Sequence, residues 1–273
     1  MLSSEGDRLT RVVVCSPGKE YFKVDNLAAH NIDEKADPEK AKEQHDRLKA
    51  VMKDYGAGVI DIDELSGHPN SVFTRDAALC TPQGYIQLRM GLESRRREEE
   101  WLAQALEKHG EPKAGQIQAP GTVEGGDVIL AGQVAFIGHS QRTNMEGIRQ
   151  LSSLLINMGY EIRTASIPPP HLHLGGVMSL IGTREIFCCT GFFEENFFEG
   201  FDRLEIDYEM FVSGNVVCLG YGELIAEASN TAAVQALEEG GFRVHVLDLS
   251  EFVKGQGGPS CLIMPLERVI DRA

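Results

Sequence analysis

Six cysteines and eight histidines occur in the 273 residues, and one cysteine differs in setting from the rest. Cys15, Cys80, Cys188, Cys189 and Cys218 lie inside apolar runs, where a thiol behaves as a small hydrophobe. Cys261 instead follows the flexible stretch GQGGPS from Gly255 and opens the last apolar run. A thiol at a loop-to-strand junction can face a pocket and be reached by a base, which makes Cys261 a candidate nucleophile. Candidate bases are His171 and His173, in the HLH step of PPPHLHLGG. In an extended strand, i and i+2 face the same side, so the pair reads as half of a metal site or as a base with a neighbour. Two surface histidines in a loop would look the same. His45 and His109 fall on helical patterns and read as solvated, while His30, His68 and His139 fall in loops.

Acids and bases cluster in two further segments. TVEGGDVIL at 122–130 sets Glu124 and Asp127 around a Gly-Gly pair that allows close backbone approach. HPNSVFTRDAA at 68–78 sets Asn70, Arg75 and Asp76 ahead of a buried run; an acid there can reach a pocket or cap a turn. Arg89 in QLRMG and Arg142 in GHSQRTN are candidate cations, with a surface role as the alternative.

The elements that must position these residues repeat along the chain. Asp37-Pro38 opens a helix with an apolar stripe through Leu48, Val51 and Met52, ended by Gly56. Further helices are expected from about Ser94 to His109, from Thr143 or Asn144 to Met158, and from about Asn230 to Glu239. Strand-like runs follow three of them: GVIDID, YEIRTASI and FRVHVLDL. Between them lie hairpin-like pairs beginning near Ala77, Val128, Val177 and Val216. With RVVVCSPG and SCLIMP as a split fifth, the pattern is a tandem ββαβ array of about five units closing in a ring.

Composition excludes several classes of function. Acidic residues number 41 against 26 Lys and Arg, a formal net charge of −15, which disfavours nucleic acid and anionic membrane surfaces as partners. The first ten residues lack a signal-like apolar run, no segment approaches a membrane span, and the cysteines show no disulfide framework. A single catalytic domain over 1–273, cytoplasmic and with reduced thiols, is the expectation; a homo-oligomer is compatible with it.

FTRD, EGGD, the HL step of PPPHLHL and the terminal GGPSC, in that order, resemble the guanidino-group-modifying superfamily of the pentein fold. That superfamily includes arginine deiminases, dimethylarginine dimethylaminohydrolases and amidinotransferases. The resemblance covers nearly the whole chain and implies an α/β fold, a five-bladed α/β propeller. It implies Cys261 as nucleophile, His171 as general acid/base, and Glu124 and Asp76 as carboxylates holding a guanidinium. Arg89 and Arg142 align with positions that receive the substrate α-carboxylate. Asn70, Asp127 and His173 are expected to line the substrate pocket, with no metal and no organic cofactor.

The chemistry is consistent with that set. A guanidinium carbon is a poor electrophile, so attack needs a thiolate and firm orientation; carboxylates can supply the latter by taking the N–H fork. The expected reaction is hydrolysis of N-omega-methylated arginine to citrulline and an alkylamine. Two departures keep arginine deiminase or dihydrolase chemistry as the alternative. Dimethylarginine hydrolases usually carry acids where this chain has Asn70 and Arg75, and PNSVFTRD is closer to deiminases. Conversely, deiminases usually carry Asp two residues after the catalytic histidine, where His173 follows His171, and they contain an inserted helical region. A metal hydrolase using His171 and His173, and a non-catalytic propeller, are the remaining readings.

Overall fold

The computed structural model describes residues 4–270. The fold is built from five copies of one unit, each a three-stranded sheet in which an antiparallel pair is joined by a parallel third strand. The first unit is split. Strand β1 (Arg8–Cys15) runs antiparallel to β15 (Met264–Val269) and parallel to β2 (Gly58–Ile62), with helix α1 (Pro38–Asp54) between β1 and β2. The second holds β3 (Ala78–Thr81), β4 (Gly84–Gln87), α2 (Glu98–Lys108) and β5 (Lys113–Gln116). The third holds β6 (Val128–Ala131), β7 (Val134–His139), α3 (Met145–Asn157) and β8 (Glu161–Ser166). The fourth holds β9 (Met178–Leu180), β10 (Glu185–Cys189) and β11 (Asp202–Ile206). The fifth holds β12 (Val217–Gly220), β13 (Glu223–Glu227), α4 (Thr231–Glu239) and β14 (Arg243–Leu247). This is the expected five-bladed α/β propeller of the pentein type.

Local chemistry explains most boundaries. Asp37 accepts from Glu39 N and Lys40 N at 3.0 Å each, capping α1 with Pro38 at its first position. Asn144 accepts from Gly147 N at 2.8 Å to cap α3. The second helix starts later than the sequence predicts, at Glu98, because Arg97 adopts a left-handed φ of 86° that separates it from the short turn Glu93–Arg95. The fourth unit has no crossover helix among its described residues. The phenylalanine-rich segment 190–201 fills that place and packs Phe197 and Phe198 on Phe136. Strands β5 and β11 escape a hydrophobicity reading because KAGQ and DRLEI are outer strands with few buried side chains.

Inner strands β3, β6 and β12 are buried on both faces, and the helices lay their apolar stripes on the outer faces. Leu102 and Leu106 of α2, with Leu151 and Leu155 of α3, join one core. His45 departs from the solvated expectation: it is fully buried against Phe252, with ring centroids 5.8 Å apart. No described helix is long and apolar enough to cross a membrane.

Candidate active site

The sequence motifs occupy equivalent places in different blades. Each lies on a single 3-10 turn just before the first strand of its hairpin: Thr74–Asp76 before β3, Gly125–Asp127 before β6, Leu174–Gly176 before β9, and Pro259–Leu262 before β15. Repetition of one unit around an axis therefore gathers Asp76, Glu124, His173 and Cys261 at one end of the propeller. These turns pack against one another there.

Close approach is possible because the second turn has no side chain in the way. A Cβ on Gly126 would stand 2.7 Å from His173 Nδ1 and 3.0 Å from Asp76 Oδ1; one on Gly125 would stand 2.1 Å from the Arg75 carbonyl. Instead, Gly126 N donates to Asp76 Oδ1 at 3.0 Å. Glu124 is fully buried; its Oε1 accepts from Gly91 N and Leu92 N at 2.9 and 3.1 Å. Its Oε2 lies 2.9 Å from His173 Nε2. Burial alone would lower the His173 pKa, but Asp76, the Glu124 hydrogen bond and Asp127 outweigh it and hold it at about 8. Burial likewise opposes the Glu124 charge, and His173, Arg142 and Arg95 reverse that, holding the carboxyl below its ordinary range.

His173, and not His171, is the histidine brought to the carboxylates. The chain turns at 168–171, where His171 N donates to the Pro168 carbonyl at 3.1 Å, and both His171 and His173 line the larger cavity, but only His173 bonds a carboxylate. His171 packs edge-on to Phe192 and Tyr208, with centroids 4.7 Å away in each case. Its Nδ1 is buried without a hydrogen-bond partner.

Two other expectations change. Arg89 donates to the Gly121 carbonyl at 3.1 Å and bridges to Val123, and it lines neither cavity described below. Arg95, which the sequence did not single out, is buried and donates to Asp76 Oδ2 at 2.6 Å and to Glu98 Oε2 at 2.7 and 2.9 Å. Nothing in GLESRRREEE distinguished Arg95 from a solvated helix start. Asp127 does not face a cavity either; it accepts from Ser140 Oγ at 2.6 Å and Leu174 N at 2.9 Å, fixing the turn that follows His173. Asn215 is the second missed residue. It donates to Ser260 Oγ at 2.7 Å and the Gly175 carbonyl at 2.8 Å, accepts from Ser260 N, and sits 3.9 Å from Cys261 Sγ.

Two cavities meet at Cys261 and His173. The smaller is charged and lined by Asp76, Arg95, Arg142, Asn70 and His30. The larger runs past Tyr208 and Phe211 to Arg75, which pairs with Glu5 at 2.5 Å. Asn70 donates to the His30 carbonyl at 3.1 Å. Cys261 is half-buried while the other five thiols are buried. Burial and the nearby Asp76 raise its pKa to about 11, which favours the neutral thiol. Asp76, Glu124 and His173 offer ligand atoms within 4.8 Å of one another, but each already bonds Arg95, the backbone or its neighbour.

A propeller that presents a thiol, a histidine–carboxylate pair and a buried aspartate at one axial end defines a guanidino-modifying protein, a hydrolase of amidine C–N bonds. The family model for N,N dimethylarginine dimethylhydrolase, eukaryotic, matches residues 20–268, and the chain belongs to that family. It is 31% identical over 240 residues to the N(G),N(G)-dimethylarginine dimethylaminohydrolase of Pseudomonas aeruginosa, covering 88% of this chain and 93% of that one. An uncharacterised Aeropyrum pernix protein is 30% identical over 85% of this chain and 86% of its own length. A solved structure of the P. aeruginosa enzyme, a serine-for-cysteine variant complexed with citrulline, superposes with a TM-score of 0.83 at 28% identity, covering 94% of this chain and 99% of that one.

Proposed function

We propose that the chain hydrolyses N-omega-methylated arginine to citrulline and an alkylamine, with Cys261 as nucleophile and His173 as general acid/base. The observation that carries this is that Cys261, His173 and Asp76 line one cavity, with Glu124 fixing the His173 ring. Asp76 receives the substrate guanidinium. The positive charge arriving beside Asp76 cancels the repulsion that helps hold the Cys261 thiol up, so substrate binding itself favours the thiolate. With Nε2 engaged by Glu124, His173 Nδ1 is the nitrogen left to exchange a proton.

The arriving cation also cancels the Asp76 charge that favours imidazolium, so His173 is neutralised as substrate binds. In the first half-reaction the thiol proton passes to neutral His173 as the S–C bond forms at the guanidinium carbon. His173 then protonates the alkylated nitrogen, the C–N bond breaks, and the amine leaves a cationic thiouronium on Cys261. In the second half, His173 takes a proton from water, the hydroxide oxygen bonds the carbon, and the S–C bond breaks. The hydroxyl proton passes to the departing thiolate, restoring the thiol as citrulline leaves, and His173 releases its extra proton to solvent. Arg142, in the charged cavity, is placed to receive an α-carboxylate, while Arg95 holds Asp76.

Hydrolysis of free arginine is the second reading. PNSVFTRD favours it, whereas Gly175 stands two residues after His173, where deiminases usually carry Asp. Comparing kcat/KM for asymmetric dimethylarginine and arginine decides: a tenfold preference for arginine, about 1.4 kcal/mol at the transition state, would establish the second reading.

A further inference from the structure

We infer that the aromatic wall built from His171, Tyr208 and Phe192 is the subsite that receives the alkyl group on the departing nitrogen. This rests on the hydrolase reading above and adds which residues select the substituent. His171 and Tyr208 line the larger cavity beside Cys261, and Phe192 backs the His171 ring. A catalytic base needs an orienting partner. His173 has Glu124, while His171 keeps Nδ1 buried and unpaired and is held only by ring packing. The ring serves as a surface.

The two cavities divide the substrate. A guanidinium carbon at Cys261 with its amino-acid end toward Arg142 directs the remaining nitrogen toward the other cavity. The only carboxylate on that wall among the described residues is Glu5, already paired with Arg75. Unsubstituted N–H groups entering there would lack charged acceptors, whereas alkyl carbons on an aromatic face bury apolar area and favour a cationic nitrogen.

The test is a substrate series: L-arginine and its N-omega-methyl, ethyl and propyl derivatives. In wild type, kcat/KM should rise about fourfold per added carbon, the equivalent of about 0.8 kcal/mol. Tyr208→Ala should flatten the series; Tyr208→Leu, which keeps an apolar side chain, should retain part of it and serves if the alanine variant does not fold. His171→Phe replaces the imidazole with an apolar aromatic face and should keep the slope of the series, whereas His171→Ala should reduce it. A folded His171→Ala protein whose series is as steep as that of wild type would overturn the subsite, as would a series that is flat in wild type. A wild-type protein inert toward all four compounds would overturn the reaction reading, and the subsite with it.

Discussion

Replacing Glu124 with Gln tests how the histidine is made into an acid. The carbonyl of Gln can keep the bonds from Gly91 N and Leu92 N, which turns its NH2 toward His173 Nε2. An NH2 donor there stabilises neutral imidazole, where the carboxylate stabilises imidazolium. Raising His173 from its ordinary 6.5 to about 8 is worth about 2 kcal/mol, and loss of one hydrogen bond to a charged group costs about 1.5–3 kcal/mol. Glu124→Gln should therefore lower the His173 pKa, with Asp76 and Asp127 still holding part of it up, and lower kcat/KM by about 10- to 150-fold. The ring titration is read by NMR and the rate by citrulline formation. The same pair has a stability signature. His173 binds its proton more tightly folded than unfolded, so its contribution is complete below about pH 6.5 and is lost as pH rises through about 8. A Glu124→Gln variant with an unchanged histidine titration and unchanged kcat/KM would refute this account of the pair.

Other outcomes follow from the same geometry. Gly126→Ala puts a Cβ 2.7 Å from His173 Nδ1 and should cost at least tenfold in kcat while the circular dichroism stays native. Arg142→Ala should raise KM for arginine derivatives and leave agmatine, which lacks the carboxylate, unaffected; Arg89→Ala should lower Tm without that discrimination, since Arg89 bonds the Gly121 carbonyl. Iodoacetamide should label Cys261 ahead of the five buried thiols, increasingly as pH rises toward about 11, and at lower pH when a guanidino ligand is bound.

The five units were legible because their hairpins are short apolar runs with turn residues at a regular interval, and because Asp37 and Asn144 mark helix starts chemically. Asp76, Glu124 and Cys261 were legible from motif order, and the structure brings them together. Which of the two histidines meets Glu124 was not legible, since the HLH spacing offers both and the Glu124 partner lies 49 residues away in sequence. Arg95 and Asn215 were hidden for a different reason. Each acts through partners far along the chain, Asp76 for one and Ser260 for the other, and no local pattern encodes such a contact.

The central claim is that substrate carbon passes through a covalent bond to Cys261. Acid-quenching the protein during turnover, followed by peptide mass analysis, tests it directly. The account predicts an adduct of arginine less ammonia on the Cys261 peptide, identical from dimethylarginine and from any arginine turned over, and absent in Cys261→Ser, which should also be inactive. Citrulline formation by Cys261→Ser, or an adduct on any other residue, would contradict it.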